Sequence, residues 1–354
     1  MNNLLTVLLK VTKNWNCLSL WKFFFYIVVS IIAFASIIGN AVEITLSLRP
    51  QNLRTSTNYY ITSMAFSDVL CVVSFRTLYS MSKLSVFGDV LTPFVCKLGA
   101  YFGYLSLSLS VLSLMLISVD RFVAIVFPMK VSMISRPVRS IFIWLSWVFS
   151  LVFVIPAWFE VRLAKETEKP LICSPRKFNT LYSAYTFVGL LGFYFLLLIV
   201  ITILNICIIN SLRKTNPVIQ GNSLSSAIRH KRNQRIMKML ILIIVVFFLC
   251  YTPRTAFPIC EFTSDVQLSK VHRQIFHIFA VFFLPFLSTF LNPLIIFSLS
   301  TNYRQALKNY LRVVCGTCQS CFKSNQSALE ENVELPEIRV QPLLKFNRVD
   351  LILE

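Results

Sequence analysis

A small set of polar residues interrupts the long apolar runs of this 354-residue chain. Asn40 and then Glu43 lie in the first run, Asp68 in the second, Ser110 in the third, and Ser288 and Asn292 in the last. One carboxylate with several neutral oxygens suits a small hard cation such as sodium. The same residues equally suit a hydrogen-bonded network that only orients helices. A charge at mid-membrane costs about 2.5–3.5 kcal/mol on insertion scales, so Asp68 should face a polar interior. Ser110 precedes Arg121 by about three helical turns on one face. The pair Asp120-Arg121 closes the third run, whereas Cys96 opens it.

The elements that must position these groups are membrane helices. Residues are 56% hydrophobic, and the apolar ones fall into blocks of about 20 or more, long enough to span a bilayer. In lipid the backbone must satisfy its own hydrogen bonds, so each block is a helix. The spans are expected at Phe23–Leu48, Tyr59–Tyr79, Phe94–Phe127, Ser140–Phe159, Leu181–Leu212, Met237–Ile259 and Ile275–Leu299. The third is the rod around which the others pack. At about 1.5 Å per residue, Cys96 to Arg121 covers about 37 Å, against about 30 Å of bilayer core. The fold class is an all-α membrane protein, a seven-helix bundle followed by a short amphipathic helix.

Basic residues set the orientation. With the N-terminus outside, Arg49, Arg54, Lys130, Arg136, Arg139, Arg213, Lys214, Arg229, Lys231, Arg232, Arg235 and Lys238 fall on inner connections. The formal charge of +19 is then explained by loops facing anionic lipid and protein. Because that charge is spread between spans, nucleic acid is not an expected partner. The chain divides into an outer N-terminus (1–22), the bundle (23–299), an amphipathic helix with a cysteine cluster (300–321) and an acidic, disordered inner tail (322–354).

The motifs resemble the rhodopsin-like (class A) G-protein-coupled receptors, of peptide-receptor type. They are Gly39-Asn40, Ser67-Asp68, Cys96, Ser110, Asp120-Arg121-Phe122, Trp147 with Pro156, Phe247 with Cys250-Tyr251-Thr252-Pro253, and Asn292-Pro293-Leu294-Ile295-Ile296-Phe297. The resemblance implies a disulfide between Cys96 and Cys173. It implies a latch in which Asp120 holds Arg121 at rest and releases it to a heterotrimeric G protein. It makes Phe247, Tyr251, Pro253, Pro293 and Phe297 the activation switch, with both prolines kinking their helices. Cys315, Cys318 and Cys321 follow the amphipathic helix, where palmitoylation is expected; metal is the weaker alternative. Serines and threonines of the tail would recruit an arrestin-like partner once phosphorylated. The location implied is the plasma membrane, multi-pass, with the C-terminus inside. Cys17 and Cys260 offer a second bridge, and Cys71, Cys207 and Cys250 read as packing residues.

Departures from the family pattern are specific. Phe122 stands for a tyrosine, Tyr251 for a tryptophan, and the seventh-span motif ends in Phe297 rather than tyrosine. The fifth span has no proline, and Leu204 occupies its expected tyrosine. Asn233 stands where many relatives carry an acid that holds the arginine, which predicts a weak resting lock.

At the ligand end, Gly103 occupies the position where amine receptors carry an aspartate, so an amine ligand is disfavoured. The stretch Phe282–Phe286, shortly before Asn292-Pro293, holds no lysine, which disfavours retinal. Arg76 and Arg254 instead suit an anionic group, because an arginine fork matches a carboxylate. Snorkelling, or pairing with Glu261, is the alternative. A peptide is the first expectation for the extracellular ligand, and a lipid acid or small anionic metabolite the second. A transporter, or a seven-helix protein that binds without coupling, is the competing class. No nucleophile–base constellation or histidine pair points to an enzyme, and no cofactor is expected beyond the sodium ion at Asp68.

Overall fold

Helices form where the apolar runs are longest, since hydrocarbon leaves a backbone no other donor or acceptor. The computed structural model describes residues 17–48, 56–74, 88–133, 135–166, 169–175, 181–214, 224–263, 276 and 279–313. Span 1 is Cys17–Leu48, span 2 Ser56–Val72 and span 3 Gly88–Val126. Span 4 is Arg136–Phe153 followed by the short helix Ile155–Glu160. Span 5 is Leu181–Lys214, span 6 Leu224–Thr263, and span 7 Leu284–Leu299, entered through the π turn Phe279–Phe283. A further helix runs Thr301–Val313.

Spans 1, 3, 4, 5 and 6 are each long and apolar enough to cross a membrane. Spans 2 and 7 are expected to run on through residues 75–79 and 275–278, of which all but 276 lie outside the described residues. Span 6 begins at Leu224, well before its apolar part, so its basic extension is helical. The helix continues unbroken through Pro253.

Span 4 shows what solvent the bundle is built for. It buries Arg139, Ser146 and Ser150 and exposes Trp144, Leu145, Val148 and Val152. That inverted pattern fits a hydrocarbon surround and would be costly in water. Its Ser150 meets Ser108 of span 3 at 2.9 Å, and Trp147 donates to Ser63 of span 2 at 3.1 Å. A turn at Val154 interrupts the expected Ser140–Phe159 helix. Pro156 restarts it in the first turn, where no amide donor is needed.

Span 3 borders spans 2, 4 and 5, while span 7 closes the ring against spans 1 and 6. Leu105, Leu109, Leu114 and Ile117 along span 3 are buried. A Cβ at Gly39 of span 1 would stand 2.8 Å from Pro293 Cγ of span 7, so only glycine permits this approach. The hairpin β1 (Val161–Glu166) and β2 (Lys169–Pro175) departs from the all-helical expectation. It pairs antiparallel with Leu163 opposite Cys173. A loop outside lipid can use sheet hydrogen bonds that a span cannot.

The chain divides into two compact units, Met1–Ala306 and Leu307–Glu354. In the second, the described residues 307–313 are helical.

Candidate functional site

The mid-bundle polar residues converge. Asn292 Nδ2 donates to Asp68 Oδ2 at 2.7 Å, and Ser110 lies beside the same carboxylate while meeting Ser67 at 2.8 Å. Asn40 Nδ2 donates to the Thr289 carbonyl at 3.0 Å and to the Ser36 carbonyl at 2.9 Å. Ser36 Oγ donates to Thr289 Oγ1 at 2.9 Å, so spans 1 and 7 are stitched beside the Gly39–Pro293 contact. Asn40, Asp68, Ser110, Ser288 and Asn292 are all buried. Asn40 Oδ1, Ser288 Oγ and Asn292 Oδ1 have no hydrogen-bond partner. This surplus of hard oxygens fits a small cation.

Below the outer half of span 6 lies an aromatic stack. The Phe247 and Tyr251 rings stand 4.4 Å apart, with Tyr194 of span 5 at 6.1 Å from Phe247. Tyr251 Oη meets Cys71 Sγ of span 2 at 3.7 Å, and Tyr194 Oη meets Thr252 Oγ1 at 3.2 Å. Movement of span 6 would therefore disturb contacts to spans 2 and 5 together.

Towards the end of span 3 away from Cys96, Arg121 donates to Asp120 Oδ2 at 2.7 Å. A second cation was not anticipated in this role. Arg139 Nε donates to Asp120 Oδ1 at 2.9 Å, so one carboxylate holds two arginines. A cavity of about 500 Å³ lies beside them, lined by Arg121, Lys231, Arg232, Asn233, Arg235 and Met239 among others.

Ile296 and Phe297 of span 7 take different faces. Ile296, four residues after Asn292 and thus on its face, is fully buried, whereas Phe297 lies one step round the helix and packs 6.1 Å from Tyr303. A phenol is nevertheless present, because Tyr303 Oη meets Ser47 of span 1 at 2.9 Å. Burial foremost, and the Glu43 carboxylate after it, push this phenol above the usual tyrosine range. Cys207 is exposed rather than packed, while Cys71 and Cys250 are buried. In span 5, Asn205, next to Leu204, donates to Ser118 Oγ at 3.2 Å.

The missed residues left faint signals. Arg139 shares a helical face with Ser146 and Ser150, the polar face of span 4. Asn205 is an isolated amide in an apolar run.

On the Cys96 side of the polar centre, Arg254 stands 5.5 Å from the Tyr104 ring, and the buried Gly103 accepts a bond from Ser106 at 2.9 Å. Lys97 lies 5.9 Å from the Trp158 ring. Cys96 is buried and disulfide-bonded. The Cys173 side chain, Arg76, and Cys315, Cys318 and Cys321 lie outside the described residues, as do the side chains of Cys17 and Cys260. Among the described residues no cluster of three or more His, Cys, Asp or Glu could hold a metal ion.

A disulfide-bonded cysteine near the start of span 3, a polar centre shared by spans 1, 2, 3 and 7, and an Asp120–Arg121 pair near the other end of span 3 mark this bundle of membrane helices. The family described as "7 transmembrane receptor (rhodopsin family)" matches residues 39–296, and the chain belongs to it. Its relatives include the QRFP-like peptide receptor of Branchiostoma floridae, 26% identical over 81% of this chain and 76% of that protein. Neuromedin-U receptor 2 of Rattus norvegicus is 29% identical over 82% and 75%. Neuropeptide Y receptor type 2 of Mus musculus is 30% identical over 80% and 76%.

Proposed function

We propose that this receptor binds an extracellular peptide and activates heterotrimeric G proteins from the plasma membrane, with its N-terminus outside. The observation that carries the peptide reading is the set of relatives, each named for a peptide and each aligned over about four fifths of this chain. Chemistry supports it. Arg254, set against Tyr104, offers a cation to an acidic side chain or a C-terminus, and Arg76 is its expected companion. The charged hairpin sequence Val161–Pro175 suits a polar chain.

Coupling would work through the latch. Asp120 restrains Arg121 at rest, and movement of span 6 about the Phe247–Tyr251 stack widens the basic cavity for a G-protein segment. The sodium ion would sit at Asp68, held also by Ser110, Ser288 and Asn292, and would supply the positive charge those oxygens lack. Cys173 is the partner proposed for Cys96. Palmitoylation at Cys315, Cys318 and Cys321, and arrestin-like recruitment by the tail, complete the reading.

The test is a peptide library applied to cells expressing the receptor, read by G-protein activation. At least one peptide should activate wild type and fail on Arg121→Ala at equal surface expression. Responses to acidic lipids and to no peptide would replace the peptide reading. Binding without activation in wild type would make this a non-coupling receptor.

A further inference from the structure

Span 1 carries a buried acid that the function described so far leaves unused. Glu43 is fully buried. It lies about one helical turn from Asn40 on one side and Ser47 on the other, on a shared face. Both neighbours are engaged, Asn40 with Thr289 and Ser47 with Tyr303. Glu43 is not: neither Oε1 nor Oε2 has a hydrogen-bond partner.

The position is electrostatically consequential. Glu43 lies within electrostatic reach of the Asp68 carboxylate on span 2 and of Tyr303. Neither Glu43 nor Asp68 has an ion-pair partner among the described residues, whereas Asp120 pairs with Arg121 and Arg139. Asn40 Oδ1, Ser288 Oγ and Asn292 Oδ1 are buried in the same bundle, also without donors, and Asn292 is bonded to Asp68 through its Nδ2. Burying an ionised carboxylate costs several kcal/mol unless its charge is met, and here two share one interior. A proton would satisfy one oxygen of Glu43 and leave the others. A hard cation satisfies oxygens from several side chains at once.

We propose that Glu43 is the second carboxylate of the cation site anchored by Asp68, with Asn40, Ser288 and Asn292 supplying neutral oxygens. The proposal rests on the reading that Asp68 holds sodium and adds a residue to it. A second negative charge tightens the hold on the ion. It also places the ion in the interface of spans 1, 2 and 7, beside the Ser47–Tyr303 link, so that occupancy braces span 1 as well as spans 2 and 7.

The experiment is a thermal melt of the purified full-length receptor in nanodiscs. Sodium chloride is exchanged against choline chloride at fixed ionic strength. Wild type should melt higher as sodium rises, with a defined midpoint. Glu43→Gln should move that midpoint to about tenfold higher sodium or more, the loss expected for removing one nearby charge. Asp68→Asn should abolish the response. A Glu43→Gln midpoint within about twofold of wild type, with Asp68→Asn unresponsive, overturns the proposal and leaves the Asp68 reading intact. A wild type indifferent to sodium removes both. Should Glu43→Gln fail to fold, the sodium-minus-choline infrared difference spectrum of wild type decides. Two perturbed carboxylate stretches support the proposal and one overturns it.

Discussion

Arg139 reaches Asp120 from span 4 and binds the carboxylate oxygen opposite the one that holds Arg121, at 2.9 and 2.7 Å respectively. The ion pairs therefore form a three-residue cluster across spans 3 and 4. Asn233 supplies no acid from span 6, and Asp120 is an ion-pair partner of Arg121.

Asp120→Asn should raise ligand-independent G-protein activation and lower stability by about 3 kcal/mol, because it leaves two cations facing a neutral amide. Arg139→Met keeps the packing and leaves the Asp120–Arg121 pair intact, so basal activity should not rise. Basal second-messenger levels normalised to surface receptor decide between them. An Arg139→Met receptor as active as Asp120→Asn would mean that span 4, not Asp120, restrains the arginine.

Gly39→Ala should destabilise the receptor by about 1–3 kcal/mol, because its methyl would meet the rigid Pro293 ring at 2.8 Å. A melting curve in lipid checks this. Gly192→Ala is the control, since a Cβ there meets nothing within 4 Å. Equal melting temperatures for the two variants would show that spans 1 and 7 can part without cost.

Phe247→Ala and Tyr251→Phe separate packing from polarity in the aromatic stack. The first removes a buried ring stacked 4.4 Å from its neighbour and should cost about 3–5 kcal/mol. The second loses a 3.7 Å contact with a sulfur, a weak acceptor, and should cost about 1 kcal/mol or less. A reversal of that order in thermal melts would make the Cys71–Tyr251 contact the principal tie between spans 2 and 6.

Arg254→Ala should lower the potency of an activating peptide by about tenfold or more, while Arg254→Lys recovers part of it, because a charge without the planar fork binds a carboxylate less well. Dose–response curves at matched surface expression measure both. Unchanged potency in Arg254→Ala would confine this residue to its contact with Tyr104.

The bundle and most of its polar centre were legible because helical phase is local. Asn40, Asp68, Ser110 and Asn292 each sit in an apolar run, and the membrane leaves a buried polar group little choice but to face inward. At the end of span 7 one residue is about 100° of rotation, so Ile296 takes the buried face while Phe297 packs by Tyr303. Partners that belong to other helices were not legible. Arg139 counted as a loop cation, since nothing in the chain says that it turns inward to Asp120. Ser47 and Tyr303 are separated by almost the whole bundle, and only packing brings their hydroxyls to 2.9 Å.

Span 4 keeps its serines within and its tryptophan and valines without, which bears on how the protein is made. A nascent chain with that outer face finds no resting conformation in the aqueous cell. Its translation must be coupled to insertion, with the fourth segment handed from the ribosome directly to lipid, and a substitution such as Val148→Asp would be felt first as failed biogenesis rather than altered signalling.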